Sequence, residues 1–162
     1  REKSIHCLEG AMLGAYIFTL QGQKPLILHL KAENGDWDHI ITLFQIDGLW
    51  GALSKTNHYT LRYREPVYKD VHELVMSYFH EYFLNNGEKT LHSFSKPFDI
   101  FKKFGFDWIT KEEDLDEVAL SLDQSPHFDF VPLKNKKMIR KVGQTEIKGA
   151  GVTEWNKSGK KS

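Results

Sequence analysis

The sequence predicts an α+β domain in which a buried N-terminal helix packs on an antiparallel sheet. Three observations carry this. Residues 8–20, LEGAMLGAYIFTL, are apolar around the whole helical circumference instead of along one stripe, the pattern of a helix enclosed on several sides. Residues 39–46 (HIITLFQI) and 49–55 (LWGALSK) are strand-like runs joined by Asp47-Gly48, a dipeptide that favours a two-residue hairpin turn. Asp70 to Leu84 carries one apolar stripe, Val71, Leu74, Val75, Tyr78, Phe79, Tyr82 and Phe83, behind a D-x-x-E start that resembles a capping box.

In chain order, Ser4 is placed to cap the first helix, which puts Cys7 in its first turn. Gly10 and Gly14 are four apart and share a face. Each costs roughly 1 kcal/mol of helix propensity against Ala, so a neighbour is expected to lie close to the backbone there. Gly22 ends the helix and Pro25 precedes a short strand, LILHLK; ENGD at 33–36 is a turn. Residues 58–64 extend the sheet and Pro66 closes it. Residues 88–109 are aromatic-rich with mixed signals. Thr110 and Glu113 open an acidic helix running to about Leu122, and residues 128–133 suit a strand. One domain is expected over residues 1–142, with 143–162, Gly- and Lys-rich, as a flexible tail.

The 162 residues contain 22 basic and 22 acidic side chains, so charge gives no general attraction to nucleic acid or anionic membrane. The longest apolar stretch, Ala11 to Leu20, is too short to span a bilayer. No signal-peptide pattern is visible. The single cysteine excludes an internal disulfide and points to a reducing, cytoplasmic setting.

That cysteine is the candidate nucleophile. A thiolate is the reactive form, and unpaired N–H groups at a helix start favour it. The same groups could hold an oxyanion during acyl transfer, and a histidine would take the thiol proton. His39 opens the first hairpin strand. With a two-residue turn, Ile46 faces Leu49 and, further out, His39 faces Thr56; Ser54 is one diagonal step from His39 on the same face. Ser54 or Thr56 could therefore orient the imidazole.

IHCLEGAMLGAYIFTLQGQKPLIL followed by DHIITLFQIDGLWGALS resembles the transglutaminase-like superfamily, a papain-related thiol fold. The likeness covers roughly residues 5–56. It implies Cys7 as nucleophile, His39 as base, and an orienting acid four residues after the hairpin tryptophan, Trp50. That position here is Ser54, which can hydrogen-bond an imidazole but brings no negative charge. Asn57 could serve as asparagine does in papain-like enzymes, but hairpin parity puts it on the other face. The implied chemistry is attack by Cys7 on an amide or related acyl carbon, giving hydrolysis or transamidation of a peptide or amide-bearing substrate with no cofactor. The departure at Ser54 leaves a second reading, a catalytically inactive binding or scaffold module.

Other polar groupings read as structural. His29, Asp36, Asp38, His39 and His58 lack the spacing of zinc motifs, so no metal is expected. His6 neighbours Cys7 but is expected to point elsewhere. Arg62 and Arg64 share a face and could bind an anion, though such pairs more often bridge to neighbours. The basic run Lys134, Lys136, Lys137, Arg140 and Lys141 has no aromatic platform, which argues against nucleic acid.

Overall fold

The structure, a computed structural model, describes residues 2–109 and 115–153, the side chains of residues 2–6 and 107 excepted. It has a three-layer α/β arrangement: helices on both faces of one largely antiparallel sheet. Helix α1 spans Glu2–Leu20 and is followed by strands β1 (Leu26–Ala32), β2 (His39–Ile46), β3 (Leu49–Leu53) and β4 (Tyr63–Tyr68). Helix α2 is Val71–Phe79, and β5 (Leu91–Ser95), β6 (Phe98–Asp99), α3 (Ile100–Phe104), α4 (Asp116–Asp123), β7 (His127–Asp129) and α5 (Gln144–Ala150) complete the order. The sheet runs β4-β3-β2-β1-β5-β7, with β6 also pairing to β1.

The hairpin register is the one the sequence predicts. Ile46 pairs Leu49 and Thr42 pairs Leu53, and Asp47 and Gly48 both have positive φ, 51° and 81°. Two left-handed residues in succession match the strand twist, which is why Asp-Gly is selected here. The register does not extend to His39 and Thr56, because β3 stops at Leu53. There the Ser54 N–H turns to the Arg62 carbonyl at 2.8 Å, and a 3-10 turn follows at Tyr59–Leu61.

Strand alternation divides the core in two. On one face α2 delivers Leu74, Val75, Tyr78 and Phe79 onto Leu28, Leu30, Ile41 and Leu43. On the other, α1 delivers Leu8, Ala11, Met12 and Ala15 onto Ile27 and Ile40, with Ile100 of α3 and Val118 and Leu122 of α4 closing the layer. The close approach expected at the paired glycines is present. A Cβ on Gly10 would lie 2.5 Å from the Lys55 Cβ, and one on Gly14 would lie 2.6 Å from the Thr42 Oγ1. Thr42 Oγ1 also donates to the Ala11 carbonyl at 2.7 Å.

Several boundaries differ from expectation. Helix α1 already runs from Glu2, so Ser4 lies inside it and does not cap it, and Cys7 is a turn further in than predicted. Pro66 sits within β4; that is an edge strand, where a missing N–H costs no ladder bond. Asp70 caps α2 as expected, its Oδ1 accepting from Glu73 N at 2.8 Å, but the Glu73 carboxylate accepts from Lys69 N at 2.7 Å, one residue before the cap, so the box is not reciprocal. That helix ends at Phe79, five residues early, although Tyr82 continues into the same core. The Thr110–Glu113 box lies outside the described residues, and α4 begins at Asp116. The segment expected as a loose tail starts with α5, and Thr153 forms an antiparallel bridge with His58. Among the described residues no helix is long and apolar enough to cross a membrane.

Gly14→Ala tests the α1–β2 contact. The substitution gains helix propensity of roughly 1 kcal/mol but drives a methyl into a buried, β-branched, hydrogen-bonded threonine. A net loss of about 1–2 kcal/mol is expected, read as a lower urea midpoint with unchanged slope; a gain in stability would show the contact to be soft.

Candidate active site

Cys7 and His39 come from opposite layers. Cys7 belongs to the α1-side cluster, with Ile40. His39 pairs with Leu30 at the start of β2, and alternation groups it with Ile41 and Leu43 on the α2 side. Both nevertheless line one cleft of about 570 Å³ at that end of the sheet. Asp36, Asp38, Lys55, His58, Glu81 and Tyr82 add its polar walls, and Asn57, discounted by hairpin parity, lines it as well. Parity fails for Asn57 because the chain has already left β3.

The resting pair is neutral. Burial pushes the Cys7 thiol above its ordinary value, and the nearby Asp38 charge adds to this, against the opposing pull of the Ile40, Leu8 and Cys7 backbone N–H groups. Cys7 is 4% exposed. Burial drives the His39 imidazole down to about 4, assisted by the positive character of His58 and His29. His39 Nε2 is buried without a hydrogen-bond partner, so it makes no hydrogen bond to the thiol. The thiolate–imidazolium pair that a helix start and an adjacent base would favour is therefore not the resting state.

Ser54 does not orient His39. Its hydroxyl donates to the Leu61 carbonyl at 2.6 Å and is buried there. The expected role rested on a β3 register that ends one residue before it. Thr56 is also committed locally: its Oγ1 accepts from His58 N at 3.2 Å and its carbonyl accepts from Arg62 Nε at 3.1 Å. The arginines are structural. Arg64 donates to Ser77 Oγ at 2.7 Å and to the Thr60 carbonyl at 2.7 Å, and its guanidinium lies over the Tyr78 ring. The basic run is likewise engaged, with Lys136 Nζ 3.4 Å from Glu33 and Lys141 Nζ 3.5 Å from Glu88. The His6 side chain lies outside the described residues. Trp50 packs, partly buried, against the α2-side core.

One network beside the cleft was not visible in the sequence. Asp38 Oδ1 accepts from Ala32 N at 2.7 Å, and its Oδ2 lies 3.2 Å from His29 Nε2. His29 Nδ1 is 3.0 Å from His127 Nε2, and His127 Nδ1 is 2.6 Å from the Ser125 carbonyl. His127 is held below its ordinary value, first by burial and then, in part, by His29. Asp38 is held low despite its burial, chiefly by the His29 hydrogen bond. Ninety-eight residues separate the two histidines, so only the tertiary fold reveals the row. Among the described residues no group of three or more His, Cys, Asp or Glu could hold a metal ion. Compared with known proteins, the sequence matches no family model and none of the curated proteins.

His39 predicts a stability profile. Its folded value is depressed, so the unfolded chain takes up a proton first as pH falls. The contribution is fully present above about 6.5 and is lost progressively between 6.5 and about 4. That interval corresponds to about 3 kcal/mol. Urea midpoints of wild type should fall steeply across it, and those of His39→Gln should fall less; parallel curves would show that His39 is not the buried neutral group.

Proposed function

We propose that this chain is a transglutaminase-like thiol domain in which Cys7 attacks an amide or related acyl carbon bound in the cleft, with His39 as the acceptor of its proton. The observation that carries this reading is the sharing of one cleft by Cys7 and His39, with an imidazole nitrogen buried and unpartnered. Buried polar atoms are nearly always satisfied, and the exceptions tend to be places where a ligand or proton is received. Further support comes from the order of elements: a helix bearing the cysteine, a strand opening with the histidine, and an Asp-Gly hairpin returning along a tryptophan-bearing strand.

In this reading the reaction begins from neutral partners. Sulfur forms its bond to the acyl carbon as the proton leaves for the imidazole, and the imidazolium then protonates the departing amine. Water or a second amine takes the acyl group from sulfur and returns the site to its resting form. The proton is held more tightly by the thiol than by His39 at the start, and each pH unit of that difference costs about 1.4 kcal/mol. The developing positive charge must therefore be met inside the cleft, where Asp36 and Glu81 are lining carboxylates that are not held by His29 as Asp38 is.

A second reading, an inactive binding module of the same kind, has one specific observation in its favour. The position where the family places an orienting acid holds Ser54, whose hydroxyl is spent on the Leu61 carbonyl.

The pH profile of adduct formation separates the two. A peptide carrying a C-terminal electrophile should modify Cys7, detected by intact mass, at a rate that levels off within about a unit above the His39 value near 4. His39→Gln should remove the plateau. If the rate instead climbs about tenfold per pH unit through neutrality and is unchanged in His39→Gln, His39 is no base. If the peptide is retained without an adduct, and equally by Cys7→Ala, the binding-module reading stands.

A further inference from the structure

We propose that residues 147–153 form a displaceable strap along one wall of the cleft, which a peptide ligand moves aside as it binds. This rests on the cleft being the ligand site proposed above. Four residues of the C-terminal segment, Ile147, Ala150, Gly151 and Thr153, line the same cleft as Cys7 and His39. Thr153 pairs with His58 in an isolated antiparallel bridge, a single point of backbone pairing. Ala150 closes α5 and Gly151 is still helical, with φ −69° and ψ −9°, so the segment reaches that bridge as a helix end and a short turn.

The same segment is built to leave. Val142 is the last firm anchor: it is buried, and its N–H donates to the Gly87 carbonyl at 2.9 Å. Beyond it, Gly143 precedes α5, and α5 has no buried residue. Its side-chain tie, Arg140 to Glu146 at 3.1 Å, is solvent-exposed and contributes little. A segment that makes a single backbone bridge and lines a cleft, yet buries no side chain of its helix, opens at low cost. Being tethered, it holds the cleft at an effective concentration on the order of millimolar without needing high intrinsic affinity. A peptide ligand therefore binds by displacing it.

Ala150→Asp in the full chain is the test, because it sets a carboxylate against a cleft already lined by Asp36, Asp38 and Glu81. Hydrogen exchange read by mass spectrometry should speed up about tenfold over residues 56–61 and 144–153 together, with β1 and β2 unchanged. Lys148→Asp carries the charge on the exposed side of α5 and should change neither segment. A synthetic QTEIKGAGVT peptide at millimolar concentration should restore protection at 56–61 in the Ala150→Asp chain. Should Ala150→Asp unfold the domain, Ile147→Asp, at another lining position of the same segment, takes its place. Faster exchange at 144–153 with 56–61 unmoved, an equal effect from Lys148→Asp, or no restoration by the peptide would overturn the proposal. Carrying Cys7→Ala throughout makes the outcome independent of thiol chemistry: restoration in that background upholds the strap even where Cys7 proves inert towards acyl probes.

Discussion

The contact on which the rest depends is the seating of α1 against β2. It needs small residues at the helix surface, since Thr42 lies where a Cβ of Gly14 would go, and it is tied by the Thr42 hydroxyl to the Ala11 carbonyl. Cys7, Ala11 and Gly14 follow one another at helical spacing of four and three, so they lie along one face. The approach that glycine permits thus also presses Cys7 against the Ile40 backbone amide at the end of the same strand. Burial on this scale is what raises the thiol. A looser helix would give a more reactive sulfur and a weaker core, and the sequence takes the tighter option.

Much of the architecture was legible because its determinants are local. Asp47-Gly48 sets the hairpin register through two positive φ values, and the glycine pair announces a close approach before any partner is known. Legibility ended where local rules were extended past their range. Counting outward along the hairpin assumed that β3 continues to Thr56, but pairing stops at Leu53 and Ser54 turns to the 59–62 segment. That step misassigned Ser54 and discarded Asn57. Apolar spacing overstated α2 because Tyr82 joins the core from beyond the helix. Residues 143–153 looked loose because they are Gly- and Lys-rich, yet they begin with α5 and reach an isolated backbone bridge at Thr153. Signals of that kind reside in the partner surface and not in the segment.

The cleft also shows why two residues adjacent in sequence take opposite electrostatic roles. Asp38 and His39 are consecutive, so their side chains leave the backbone in different directions. Asp38 meets a backbone amide and His29, and these keep it charged. His39 is enclosed with no acceptor at Nε2 and stays uncharged. The carboxylate that could have stabilised an imidazolium on His39 is spent on a different histidine. The position where the resemblance would place an acid holds Ser54, while the acid next to His39 in sequence serves another ring.

A count of protons in that row explains the division. Asp38 and the Ser125 carbonyl can only accept, so His29 Nε2 and His127 Nδ1 must each carry a proton. The His29 Nδ1 to His127 Nε2 contact at 3.0 Å needs a third. Two neutral imidazoles hold one proton each, one fewer than the three contacts call for. Burial first, and then His58 and His29, lower His39, and the carboxylate next to it in sequence is already committed to His29. The arrangement keeps His39 unprotonated through the neutral range.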